Sequence, residues 1–555
     1  MRHICKWSFI LGVVCVIFLG GCGDKNTESG ELEETEAQQY VFEDEADASL
    51  QLMSNLATMK TAREALHDSY DTNSFAHKDE NAFKLVSNAP LSTFGSDVDT
   101  ASYAIVRKAI ESGEFPQKGA VRIEELLNNF TYHYPSPKDS VPLSIDASIS
   151  DALWNPHHKV LRIGIQAKEI DWTKRKPFNL IFLIDTSGSM EGADRLGLVK
   201  KSLKMLVENL NPNDSIGIVT YAGASSVSLQ PTTDKLKALH AIESLVAIGS
   251  TNGGSGIKDA YALAKEHFIK GGVNRVILAT DGDFNVGITS ESELVELIKQ
   301  QAQSGVYLSV FGYGMGNYKD STLQKLADSG NGNYAYIDTL LEAKKHLVEQ
   351  VGATLVAVAK DVKIQVEFNP VKVSSYRLIG YEKRLLNDED FNNDDKDAGE
   401  MGAGHSVTAL YELIPTETQN ADSQNPTLGK DAKGMIDPLK YSQNIANKGF
   451  ESEWVSVKVR YKEPSNLANA QEKSMLLEKV VRESDVSKDG SADMRFAQCV
   501  AEFGMLLLDS EHKGNASYES ILKVLEEKGV SDDVYRKEFI GLVAKASRLS
   551  PKPSH

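Results

Sequence analysis

Cysteine is scarce in this 555-residue chain, with four in all. Cys5 and Cys15 lie in the N-terminal leader, Cys22 closes it, and Cys499 stands alone far downstream, so no disulfide framework can form within the body. Cys499 sits in the apolar, helical-looking stretch MRFAQCVAEFGMLLL and reads as a buried, inert thiol. The apolar run FILGVVCVIFL (Phe9–Leu19) is too short and wrongly flanked for an ordinary spanning helix. Positive charge is in deficit. Sixty Lys and Arg against 78 Asp and Glu leave a formal charge of −18, which argues against a nucleic-acid backbone partner, because phosphate binding needs a basic face. The motifs G-x-S-x-G, H-E-x-x-H and the Walker loop are missing. The stretch GYGMG (312–316) has Asn317 where a dinucleotide fingerprint needs its third glycine, so no nucleotide is expected. The acidic loop Asp388–Glu400 has Asn393 where a calcium loop needs glycine, and reads as a solvated loop. His157 and His158 have no partner at zinc spacing.

What is present begins with an address. Arg2 and Lys6 precede the apolar run, and Gly20-Gly21-Cys22 follow it, in the layout of a secretory signal over 1–21. Leu19-Gly20-Gly21-Cys22 resembles a bacterial lipobox, which implies cleavage before Cys22, lipid modification of Cys22 and anchoring to a membrane. Gly23 follows rather than Asp, which favours the outer membrane in an organism that has one. Residues 23–49 hold ten acids and one lysine, too few apolar groups to order themselves, so 22–50 is expected to be an acidic tether. Residues 51–89 read as a partly helical linker.

Residues 90–175 mix helix and strand. The stretch 97–116 looks like a helix capped by Asp99 or Thr100, 121–130 like a second helix, and 143–150 and 160–170 alternate like half-buried strands. From 176 to 355 strand and helix alternate. Runs such as LIFLI and VILA imply a sheet buried on both faces, and Leu196, Val199, Leu203, Leu206 and Leu210 fall on one helical face. This is the pattern of an α/β, doubly wound, mainly parallel sheet, which binds ligands at the carboxyl ends of its strands. Strand texture returns over 356–465, and 466–555 reads as helical. The strand segments on either side are expected to pack together, making the α/β unit an insertion in a β-rich domain.

The first α/β strand ends in Asp185-Thr186-Ser187-Gly188-Ser189. Thr251 lies in a glycine-rich loop, and Asp281 ends a second buried strand. In a parallel sheet these five oxygen donors, Asp185, Ser187, Ser189, Thr251 and Asp281, converge on one edge and suit Mg²⁺, Mn²⁺ or Ca²⁺ rather than zinc. The set resembles the metal-ion-dependent adhesion site of the von Willebrand factor A (VWA, Rossmann-like) domain. That resemblance implies Ser187, Ser189 and Thr251 as direct ligands, and Asp185 and Asp281 acting largely through water. The flanks at 92–130 and 388–412 resemble a bacterial envelope family with a VWA domain between a characteristic N-terminal segment and a C-terminal domain of unassigned function. The expected function is a non-catalytic envelope lipoprotein that binds a protein partner's Asp or Glu through the cation, as adhesin or assembly scaffold. A hydrolase or processing factor with catalytic groups in the flanks, and a purely structural metal, are the alternatives.

Overall fold

The computed structural model describes residues 79–550, apart from 139–140, 172–173, 251–252, 283–290, 315–319, 395, 397, 417–448, 465–472 and 528. The signal segment, Cys22, the tether, linker residues 51–78 and Thr251 lie outside the described residues.

The chain opens with β1 (Lys84–Leu85), β2 (Leu91–Gly95), α1 (Ala101–Glu111), α2 (Ile123–Asn128), β3 (Leu143–Asp151) and β4 (Lys159–Ala167). The α/β unit follows: β5 (Phe178–Asp185), α3 (Leu196–Asn209), β6 (Ser215–Tyr221), β7 (Ser225–Thr232), α4 (Lys235–Glu243), α5 (Gly253–Glu266) and β8 (Val273–Thr280). It continues through α6 (Glu291–Gln303), β9 (Val306–Tyr313), α7 (Asp320–Ser329), β10 (Tyr334–Ile337), α8 (Leu340–Lys344) and α9 (Val351–Leu355). Then come β11 (Ala357–Phe368), β12 (Val373–Ile379), β13 (Leu385–Leu386), β14 (Gly399–Gly402), β15 (Ser406–Pro415), β16 (Glu453–Lys462) and β17 (Ser474–Arg482). Helices α10 (Ala492–Leu508), α11 (Tyr518–Leu525) and α12 (Val534–Leu549) close it.

The central sheet has the order β10-β9-β8-β5-β6-β7. Every pairing is parallel except β6 with β7, so β7 is the antiparallel edge. Every residue of β5 is buried, because helices cover both faces of the sheet. The expected stripe on α3 is buried against one of those faces.

Two antiparallel sheets are built from the segments on either side of the insertion. Their orders are β1-β12-β15-β4-β3 and β13-β2-β11-β16-β17, with β14 on β11. Each sheet interleaves strands from before and after the α/β unit, and one apolar core joins them through Phe94, Ile163, Val366 and Tyr411. The α/β unit is therefore inserted in a β-rich domain. Helices α2 and α10 to α12 share a second core with Val160, Ile379 and Leu410 from the outer face of the first sheet. Helix α1 faces two ways. Ala101, Ala104 and Ile105 join the core of the central sheet, while Tyr103, Val106 and Ile110 join the helical core. It fastens the inserted unit to the rest.

Four details depart from the sequence reading. Neither Asp99 nor Thr100 caps α1 through a side chain. The buried Glu125 carboxylate accepts from Ser102 N instead at 2.9 Å, and Asp99 accepts from Gln324 Nε2 (2.6 Å) and Tyr334 N (3.2 Å). The run 375–386 breaks after Ile379, where Gly380 and Tyr381 take φ of 76° and 64°, the left-handed region that ends a strand. The 466–555 stretch opens on strand β17 before its helices. As an edge strand with Met475 and Leu476 exposed, β17 lacks the alternation that marks a half-buried strand, and its pairing with β16 decides its conformation. The acidic loop is partly docked: Asp388 accepts from Thr93 Oγ1 at 3.0 Å, and Gly399–Gly402 forms β14. Cys499 is fully buried, as read. Among the described residues no helix is long and apolar enough to cross a membrane.

Candidate functional site

Strands β5 and β8 run side by side and finish on the same sheet edge, because Ile184 is in register with Ala279. Asp185 is the last residue of β5, and its side chain is wholly inaccessible. Beyond it the chain turns into a short 3₁₀ segment at Gly188–Met190, anchored by the buried Met190. The turn is held from both sides. Thr186 N and Thr186 Oγ1 both donate to the carbonyl of Tyr221, at 2.9 and 3.1 Å. Ile248 N donates to Thr186 O (2.7 Å), and Gly188 N donates to Gly249 O (2.9 Å). Gly249 takes φ of 103°, a conformation open to glycine, and thereby turns its carbonyl toward the Gly188 amide.

The donors meet within this frame. Asp185 Oδ1 accepts from Ser187 N at 2.9 Å, and Asp185 Oδ2 accepts from Thr280 Oγ1 at 3.3 Å. The Ser187 and Ser189 hydroxyls lie 2.9 Å apart. Ser187 is buried, whereas Ser189 is exposed, so the pair leads from the core to solvent. Asp281 follows directly on β8 and is buried, and its charge acts on Asp185. Burial pushes the Asp185 carboxyl up to about 6, against the hydrogen bonds from Ser187, with the Asp281 charge adding to the rise. Burial also raises the Tyr221 phenol, with Asp185 as its strongest neighbouring charge.

Four of the five expected donors are thus brought to one edge: Asp185, Ser187, Ser189 and Asp281. The helix that follows the Thr251 loop, α5, packs on β5 through Ile257, Ala260 and Leu263. Three contributors were missed in the sequence. Tyr221 is in register with Asp185 across β5 and β6, and Thr280 sits one residue before Asp281. Arg195 donates through Nη1 to the Ser189 carbonyl. The first two were legible as the ends of strands flanking β5; Arg195 carries no local signal.

The donor set suits a hard cation. It comprises two buried carboxylates, with the Asp281 charge raising the proton affinity of Asp185, and two hydroxyls in contact, and no basic group is among the strongest influences on Asp185. Among the described residues no cluster of three or more His, Cys, Asp or Glu has metal-binding geometry.

A doubly wound sheet with this loop cluster on its carboxyl edge defines a von Willebrand factor type A domain, and the model of that description matches residues 179–350. The model described as von Willebrand factor matches 69–162, and the one described as "Uncharacterized protein YfbK, C-terminal" matches 353–549. The chain belongs to the YfbK family of bacterial VWA proteins. It is 41% identical over 531 residues to "Uncharacterized protein YfbK" of Escherichia coli (strain K12), covering 94% of this chain and 89% of that one. A UPF0353 protein of Mycolicibacterium paratuberculosis is 29% identical over 194 residues, 30% of this chain and 58% of that protein. Among solved structures, von Willebrand factor type A from Catenulispora acidiphila is 14% identical with a TM-score of 0.37, covering 75% of this chain and 97% of that one.

Proposed function

We propose that this protein is a non-catalytic binding module that holds a divalent cation, Mg²⁺ or in its place Mn²⁺ or Ca²⁺, and through it the Asp or Glu of a protein partner. Ser187, Ser189 and Thr251 would hold the cation directly, and Asp185 and Asp281 largely through water. When bound to neutral hydroxyls, such a cation keeps most of its charge and attracts an external carboxylate. The observation that carries the reading is the buried Asp185 carboxylate, which lacks a basic neighbour among its strongest influences and sits against a serine pair leading to solvent. The residues of this chain orient the site: Thr186 and Gly188 fix the loop, Thr280 aligns Asp185, and Arg195 holds the Ser189 carbonyl.

We further propose that Cys22 carries a lipid anchor and that the body stands off an envelope membrane on its acidic tether, on the extracytoplasmic side and on the outer membrane where one exists. An adhesin or an assembly scaffold uses that arrangement. The test is partner capture by intact protein with Mg²⁺, with chelator, and with the Asp185→Ala variant. Capture is expected with Mg²⁺ alone, and a partner retained in all three conditions overturns the reading.

A further inference from the structure

Two large apolar side chains stand in solvent beside the loop that carries Ser187 and Ser189. Val246 is 62% exposed and Ile248 is 70% exposed. Both belong to the passage that leads from the end of α4 at Glu243 toward Thr251. Burial alternates along it. Leu245 is buried and Ala247 packs against the same core of the central sheet, so Val246 and Ile248 are left on the outward face, two residues apart. The backbone of this passage is tied to the donor loop. Ile248 N donates to Thr186 O at 2.7 Å, and Gly249 O accepts from Gly188 N at 2.9 Å. Thr186 lies between Asp185 and Ser187, and Gly188 between Ser187 and Ser189.

The turn after β6 packs on the same passage. A Cβ built on Gly249 would lie 3.5 Å from the Ala222 Cβ, and one built on Gly223 would lie 3.3 Å from Ser250 Oγ. Gly223 and Ala224 are exposed there. These two loops hold no charge: none of residues 222–233 or 244–257 is Asp, Glu, Lys or Arg, in a chain that is 25% charged. Glu243, just before the passage, is paired with Lys204. One exposed apolar side chain is ordinary on a protein surface. Here two stand together on one outward face, in an uncharged surround, at the edge where the oxygen donors meet.

We propose that Val246 and Ile248 are specificity-determining residues that select a partner Asp or Glu flanked by a large apolar residue; this rests on the cation reading of the site given above. The cation takes the partner's carboxylate, and the apolar pair takes the neighbouring side chain. A flanking residue starts ~3.8 Å along the partner chain from the acidic one. Ile248 is within that reach, because its amide is one hydrogen bond from the donor loop. Covering Val246 and Ile248 with an apolar side chain removes apolar surface from water. Covering them with a charged one strips that charge of water with no counter-charge from either loop.

The test is calorimetric titration of the full chain, first with Mn²⁺ and then, in saturating Mn²⁺, with three end-blocked peptides: Gly-Leu-Glu-Leu-Gly, Gly-Ser-Glu-Ser-Gly and Gly-Lys-Glu-Lys-Gly. The leucine peptide is expected to bind at least tenfold tighter than the other two, the effect of roughly 55 Å² of apolar contact at ~25 cal/mol per Å². The double variant Val246→Ser, Ile248→Ser changes only exposed side chains. It should take up Mn²⁺ as the parent does and lose the preference. With Mn²⁺ bound, three results overturn the proposal and leave the cation site standing: equal affinity for the peptides, no binding of any at ~10 mM, which largely saturates a Kd of ~1 mM, or a preference kept in the double variant. A parent that takes up no Mn²⁺ overturns the cation reading, and this proposal with it. A full chain that is dimeric in chelator, and monomeric as the double variant, assigns the apolar pair to a second copy and also overturns the proposal.

Discussion

Replacing Asp185 by Asn should stabilise the metal-free protein at neutral pH. The carboxyl is pushed from an ordinary 3.8 to about 6, chiefly by burial, and this rise corresponds to about 3 kcal/mol of penalty on the charged form. A carboxyl with a folded pKa above its unfolded one holds its proton more tightly in the folded state. Its stabilising contribution is complete below about 4 and is lost as pH rises through about 6. The asparagine carries no such charge. It retains an acceptor for Ser187 N but loses the Thr280 hydrogen bond or its equivalent, about 1 kcal/mol. In chelator at pH 7.5 the variant should therefore be more stable than the parent by about 2 kcal/mol, and at pH 4 less stable by about 1 kcal/mol. Saturating Mg²⁺ at a hundredfold excess over Kd should add about 2.7 kcal/mol to the parent and nothing to the variant. Urea denaturation at both pH values, with and without Mg²⁺, reads all four quantities. A variant less stable than the parent in chelator at pH 7.5 would refute the reasoning, because it would mean that fixed protein contacts already compensate the buried charge.

Three further outcomes follow from the packing. Arg107 donates to Asp338 (Nε, 2.8 Å), Glu342 (2.8 Å) and Glu538 (2.9 Å), so Arg107→Met takes the guanidinium from the buried Asp338 and leaves Glu342 to Lys345 and His346, which should cost about 3 kcal/mol in urea unfolding. A Cβ at Gly332 would lie 1.7 Å from the Leu308 carbonyl oxygen, so Gly332→Ala should destabilise by about 3 kcal/mol or more, visible as a lowered melting temperature. Cys22→Ser should move the protein from the membrane pellet to the soluble fraction on cell fractionation; a variant that stays in the pellet would exclude a lipid on Cys22 as the anchor.

The central sheet was legible because parallel strands buried on both faces leave short, continuous apolar runs between helical stretches. Five consecutive apolar residues precede Asp185, and Tyr334–Ile337 stands where its texture placed it. The donor cluster was legible for the same reason: once Asp185 and Asp281 end adjacent parallel strands, topology alone puts them on one edge. What escaped were features set by tertiary partners rather than by the local pattern. Glu125 caps α1 from a second helix, Arg195 reaches Ser189 from the next turn, and β17 is a strand through its pairing with β16 rather than its own pattern. Asp99 looked like a cap because Asp before a helix usually is one; here its carboxylate is drawn to Gln324 and the Tyr334 amide of the inserted unit.

The most direct measurement is calorimetric titration of the full chain with Mn²⁺ and Mg²⁺, beside Ser187→Ala. Ser187 contributes one hydroxyl and leaves its backbone bond to Asp185 in place, so the variant should fold as the parent does. One cation per chain in the parent, and none in Ser187→Ala, is the result predicted. No cation in the parent, or unchanged binding in the variant, would contradict a cation site built on Asp185, Ser187, Ser189, Thr251 and Asp281.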